Sequence, residues 1–169
     1  MTLNNIELIN IAKEYNVHLV GVYMKSDLIN IKPKKNGRYI VNLESRIAGN
    51  RGSHWVSIAF GNDKRYVYYF DSFGSVPPNE IIRFMQKFGP LYAYNKKEIQ
   101  SLDSVYCGYF CIYLFIHMKR FQQEAFYERC NSYSDLFLDF SRNINDIIIR
   151  DLFRQLPSKN LTVRQNLNI

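Results

Sequence analysis

Two aromatic-rich blocks separated by four turn residues constrain this chain more than any other feature. Ser53 to Phe60 (SHWVSIAF) sets His54, Val56, Ile58 and Phe60 against smaller or more polar neighbours, a period of two. Arg65 to Phe70 (RYVYYF) follows after Gly61-Asn62-Asp63-Lys64. Two such runs joined by a short Gly-Asn-Asp turn predict an antiparallel hairpin. Further on, Cys107 to Phe121 is strongly apolar and ends in Lys119-Arg120. It reads as a buried helix with its cations at the end where the dipole favours them. Sheet and buried helix together predict an α+β fold, a small central sheet wrapped by helices.

The remaining pattern fits that frame. Residues 5–15 place Ile6, Leu8, Ile9, Ile11 and Ala12 close to a helical period. His18 to Met24 is apolar and suits a buried strand or a short helix, and Tyr39 to Leu43 suits a strand. Val76-Pro77-Pro78-Asn79 stops the sheet; a helix follows over 80–88 and ends at Gly89-Pro90. Leu91 to Asn95 offers another short strand. Residues 131–156 predict more amphipathic helix, with Leu136, Phe140, Ile144, Ile147, Ile148 and Phe153 inward, and the polar stretch 157–169 reads as a loose tail. No repeat, low-complexity tract or linker divides the chain, so 1–169 reads as one domain.

Composition excludes several classes. With 47% hydrophobic and 22% charged residues the chain is neither disordered nor membrane-spanning. No run approaches the ~20 apolar residues of a transmembrane helix. The N-terminal MTLNNIELINIAKEYN carries Asn, Glu and Lys through its apolar positions, unlike a signal peptide, so secretion is not expected. Three cysteines, an odd and sparse number, point to a reducing compartment. The net charge of +7 admits two readings, solubility alone or contact with polyanions such as DNA. The basic turn Lys32-Pro33-Lys34-Lys35, with Arg38 after it, is where nucleic acid would touch. Abundant Asn, Ile, Lys and Tyr have the style of an AT-rich coding sequence, which accounts for part of that lysine excess.

The chemistry-bearing residues cluster around one cysteine. Cys107 stands between the polar loop Gln100-Ser101-Leu102-Asp103-Ser104 and the apolar helix. A thiol at a helix N-terminus meets unpaired N–H groups and the positive dipole end, both of which favour the thiolate. Gly108 beside it leaves room for a substrate backbone. Cys111, inside the apolar run, and Cys130 read as inert buried thiols. A nucleophile needs a base, and of three histidines His54 is best placed. His117 lies on the helix of Cys107 but out of reach, and His18 precedes an apolar run. Ala48-Gly49-Asn50-Arg51-Gly52 leads into His54, and Asp71 closes the following strand of the hairpin. The two can therefore meet at one rim of the sheet. Attack on an amide builds an oxyanion, for which the Cys107 N–H and the Gln100 side chain are candidate donors. A Cys107–Cys111 metal pair lacks further ligands at sensible spacing, so no metal is expected.

Gly52-Ser53-His54-Trp55, Tyr69-Phe70-Asp71-Ser72-Phe73-Gly74, Gln100 and Tyr106-Cys107-Gly108-Tyr109-Phe110-Cys111 together resemble the adenain family of viral cysteine proteases. That family is related in fold to the SUMO-specific proteases, with His before Asp or Glu, then Gln, then Cys, the reverse of papain's order. Weaker similarity covers nearly the whole chain. The resemblance implies a papain-like, adenain-like α+β fold with a mixed sheet and the nucleophile at the start of a buried helix. It implies Cys107 as nucleophile, His54 as base, Asp71 as its orienting carboxylate and Gln100 in the oxyanion hole. Adenoviral members carry Glu where Asp71 stands. Trp55 and Gly108 would line a narrow substrate groove that suits Gly-Gly-like sites.

The leading expectation is a monomeric endopeptidase that trims capsid or core precursors, acting in the virion and the host cell interior. Its chemistry needs no cofactor, and the resemblance suggests a DNA or peptide activator. The alternatives are a deconjugating protease for ubiquitin-like proteins or an effector, an acetyltransferase on the same trio, and a basic nucleic-acid-binding protein with an inactive protease fold.

Overall fold

A computed structural model describes residues 3–44, 54–138 and 142–165, with side chains to residue 155. The glycine-rich lead-in 48–53 and Phe140 lie outside the described residues. Helix α1 (Asn5–Glu14) opens on a capping box: Asn4 Oδ1 accepts from the N–H groups of Ile6 and Glu7, and Glu7 Oε2 accepts from Asn4 N–H. Strand β1 (Gly21–Met24) leads into a 3-10 helix, Lys25–Asn30. Strands β2 (Arg38–Asn42), β3 (Trp55–Phe60) and β4 (Val67–Phe70) follow. After them come α2 (Asn79–Gln86), β5 (Ala93–Tyr94), α3 (Cys107–Arg120), α4 (Phe126–Ser134) and α5 (Arg142–Gln165).

The five strands form one mixed sheet in chain order. The hairpin is antiparallel, with Ser57 opposite Phe70 and Phe60 opposite Val67. β2 also runs antiparallel to β3, whereas β1 lies parallel to β2 and β5 parallel to β4. Period-two alternation divides the core between the two faces. Tyr39, Val41, Val56, Ile58, Phe60, Val67 and Tyr69 pack toward α2 residues Ile81, Phe84 and Met85. Ile40, Trp55, Ala59, Tyr68 and Phe70 pack toward the apolar α3. Small residues on that face let α3 approach closely: the Ser57 hydroxyl donates to the Cys111 carbonyl and the Cys111 thiol donates to the Trp55 carbonyl. α3 is thereby docked against the strand that carries His54 at its start.

The C-terminal third departs from the sequence pattern. The predicted helix over 131–156 is two helices, α4 and α5. Leu136, past the end of α4, is exposed, and so are Ile144 and Ile147, because the inward face of α5 carries Asn145, Asp146 and Ile149. Asn145 is the reason: its amide donates to the carbonyls of Ile99 and Leu138 and accepts from Leu138 N–H. A hydrogen-bonded amide, unseen by a hydrophobic pattern, sets the helix's rotation. The loose tail is also replaced by helix as far as Gln165. Pro157 has no N–H to offer the Phe153 carbonyl, and the Tyr15 hydroxyl donates to that carbonyl at 3.2 Å instead.

Candidate active site

The site lies at the rim where β3 begins and β4 ends. The Leu43 N–H donates to the His54 carbonyl at 3.0 Å, which ties the start of β3 to the end of β2. Past Phe70 the chain turns back: the Gly74 N–H donates to the Asp71 carbonyl at 2.8 Å and the Phe73 N–H to Asp71 Oδ1 at 2.8 Å. Gly74 takes φ +67°, a left-handed conformation that favours glycine, and a Cβ there would meet the Lys96 carbonyl oxygen at 2.7 Å. The turn sequence Asp-Ser-Phe-Gly thus aims the carboxylate.

His54 Nε2 stands 2.6 Å from Asp71 Oδ1, and both residues are buried. A carboxylate only accepts, so Nε2 carries the proton of that bond. Nδ1 is buried and has no partner of full hydrogen-bond geometry among the described residues. Cys107, the first residue of α3, lies close enough to the same ring to raise its pKa. With Nε2 occupied, Nδ1 is the nitrogen left to meet that sulfur. Burial is the strongest single influence on the imidazole and lowers its pKa. Asp71 and Cys107 together outweigh it and raise the value to about 9. The Phe73 ring stacks on the imidazole at 4.5 Å.

Gln100 is fully buried below the loop before α3. Its Oε1 accepts from the Ser72 hydroxyl at 2.6 Å, and its Nε2 donates to the Ser104 carbonyl at 3.0 Å. Asn95 brackets Asp71 from behind, accepting from its N–H at 2.9 Å and donating to its carbonyl at 2.7 Å. His54, Asp71 and Cys107 therefore meet around one imidazole, and Ser72, next to Asp71, ties Gln100 to the same rim. Ser72, Phe73, Asn95 and Ser104 were not picked out from the sequence. Ser72 and Phe73 sit inside the turn already singled out, whereas nothing local marks Asn95.

Two residues expected in a substrate groove are placed differently. Gly108 turns its open side to α1, where a Cβ would meet Leu8 Cδ2 at 3.0 Å and Leu3 Cδ1 at 3.3 Å. Its missing side chain makes room for the packing of α1 on α3, not for an open groove. Trp55 is also buried, and its indole N–H donates to the Leu3 carbonyl at 2.8 Å. The N-terminal segment thus lies against it.

Lys32, Lys34 and Lys35 are exposed, as the sequence suggests for a basic turn. The Asn36 N–H donates to the Gly61 carbonyl, which brings that turn beside exposed Lys64 and Arg65. Arg38 does not belong with them. It shares the alternation of Ile40, so it turns to the helix side of the sheet and lays its guanidinium 5.9 Å over the Phe115 ring. Burial, and then the charge of Arg129, lower its pKa. Among the described residues no group of three or more His, Cys, Asp and Glu could hold a metal ion, and no helix is long and apolar enough to cross a membrane.

No curated protein matches the chain in sequence. Among solved structures, the ASFV pS273R protease is similar, at 16% identity and a TM-score of 0.51, over 76% of this chain and 61% of that one. The chain thus spans about three fifths of that protease's length, and the likeness is one of fold. ChlaDub1 from Chlamydia trachomatis aligns at 14% identity and a TM-score of 0.35, over 89% of this chain and 82% of that one. The model of the Ulp1 protease family, C-terminal catalytic domain, matches residues 47–139, more than half of the chain and a span holding His54, Asp71, Gln100 and Cys107. The chain belongs to the Ulp1 protease family of cysteine peptidases.

Proposed function

We propose that the chain is a cysteine endopeptidase that trims viral capsid or core precursors beside small residues. The reading rests on one observation: His54 is bonded to Asp71 at 2.6 Å while Cys107 acts on the same imidazole. In this mechanism the Cys107 thiolate attacks the scissile carbonyl and a sulfur–carbon bond forms. The oxyanion is held by the free N–H of the Gln100 amide and by the Cys107 N–H, which has no partner inside its helix. His54, protonated at neutral pH by virtue of its raised pKa, gives the Nδ1 proton to the departing amine as the carbon–nitrogen bond breaks. The neutral ring then takes a proton from water, which attacks the thioester and releases the sulfur.

The preference for small residues is argued from burial. Cys107 is 2% exposed. A substrate strand reaches so enclosed a sulfur most easily with small side chains next to the scissile bond, and a Gly-Gly-like strand needs the least width. The viral reading draws on the fold shared with a viral protease and on the AT-rich style of the sequence. On this reading the protein acts in the virion and the interior of the infected cell. DNA or a short peptide is the activator on this reading, DNA touching Lys32, Lys34 and Lys35 beside Lys64.

The test offers the purified protein a capsid precursor and SUMO- or ubiquitin-linked substrates in parallel, with and without DNA. Cleavage of the precursor, lost in Cys107→Ala, supports the reading. Cleavage of the ubiquitin-like substrates alone makes it a deconjugating enzyme. Binding of DNA with no cleavage of either leaves a nucleic-acid-binding protein on a protease fold.

A further inference from the structure

An amide side chain stabilises an oxyanion only in one of its two orientations. Rotated by half a turn, it presents its oxygen and repels the charge it should hold. The site contains a device that selects the orientation of Gln100. The Ser104 carbonyl can only accept, so it demands Nε2 on its side, at 3.0 Å. On the other side the Ser72 hydroxyl donates to Oε1 at 2.6 Å. One amide hydrogen is spent on Ser104 and the oxygen on Ser72, which leaves a single N–H for substrate. The backbone of Ser72 reinforces this, since its carbonyl accepts from Ile99 N–H at 2.9 Å and Gln100 N–H at 3.1 Å. Ser72 is fully buried, so water does not substitute for its hydroxyl.

We propose that Ser72 is a positioning residue for the reaction, fixing through its hydroxyl the orientation in which Gln100 donates to the oxyanion. The proposal rests on the reading of Gln100 as oxyanion donor. Because Ser72 directly follows Asp71, one two-residue unit orients both the base and the oxyanion donor. Without the hydroxyl, Oε1 is buried with no donor, and the Ser104 carbonyl alone is left to hold the amide's orientation.

The experiment compares Ser72→Ala, Gln100→Ala and the double variant on a fluorogenic peptide ending in Gly-Gly. Turnover is counted per folded molecule, with the folded fraction read from near-UV circular dichroism. Ser72→Ala is expected to lower kcat about 10- to 100-fold, less than the ~100- to 1000-fold loss from removing a donor outright. KM is expected to stay within about twofold. Affinity for a peptide aldehyde, whose hemithioacetal oxygen takes the oxyanion position, should fall in parallel. The rate of Cys107 alkylation by iodoacetamide, a displacement with no oxyanion, should stay within about twofold of wild type. The double variant should be no slower than Gln100→Ala alone. Ser72→Gly should reproduce the loss and Ser72→Thr, which keeps the hydroxyl, should recover most of it. Wild-type kcat and aldehyde affinity in both Ser72→Ala and Ser72→Gly would overturn the proposal, as would losses that multiply in the double variant. Failure of the underlying reading looks different: Gln100→Ala itself would then keep full kcat.

Discussion

At the scale of single residues, the imidazole of His54 is held between the Asp71 side chain and the Cys107 sulfur inside the protein. Burial alone would make it a weaker base than a free histidine; Asp71 and Cys107 reverse the sign and bring it to about 9. The leaving amine needs the protonated ring, so kcat/KM should fall on an alkaline limb near pH 9. Removing the carboxylate with Asp71→Asn should move that limb to lower pH, and a pH–rate profile reads both. Stability carries the same sign. The contribution from a raised histidine pKa is whole below the ring's ordinary 6.5 and is lost as pH climbs through about 9, which thermal melts across that window would report. His54, Asp71 and Cys107 are legible in the sequence because each stands where a regular element starts or stops, whereas Gln100, in mid-loop, is marked only by its spacing from Cys107. Asn95 is not legible, because its role is to hold another residue's backbone across 24 positions of sequence.

At the scale of elements, polar side chains settle what hydrophobic period leaves open. Asn145 rotates α5 so that Ile144 and Ile147 face water, against the apolar pattern. Lys87, just after α2, donates from Nζ to the carbonyls of Leu28, Ile29 and Ile31 at 2.9, 2.7 and 3.1 Å. It closes the end of the 3-10 helix and ties it to α2. Lys87→Met should cost about 1 kcal/mol, less than three charged hydrogen bonds suggest because the lysine is solvated, and denaturant unfolding would measure it. No residue pattern announces such a tie, since the lysine and its acceptors lie more than fifty positions apart. The hairpin and α3, by contrast, were legible because their periodicity comes from burial itself.

At the scale of the molecule, the sheet is covered on both faces, and its two cores do different work. The face toward α3 carries Trp55, Phe70 and Cys107, so it sets the distance between nucleophile and base. The face toward α2 is an aromatic cluster away from the chemistry, where Phe84 meets the edges of Tyr39 at 5.3 Å and Phe60 at 5.6 Å. Phe84→Ala should therefore cost about 3–5 kcal/mol of stability, seen as a lower Tm, and leave kcat per folded molecule unchanged. On the other face, folding makes Cys107 the single reactive thiol by placing His54 against it. Cys111 and Cys130 are fully buried, and burial pushes both thiols up. Labelling with a thiol-directed suicide probe, followed by mapping of the modified residue, tests this most directly. The account predicts rapid modification of Cys107 alone, slowed strongly in His54→Ala. Modification of Cys111 or Cys130 at a comparable rate, or a Cys107 rate indifferent to His54→Ala, would contradict it.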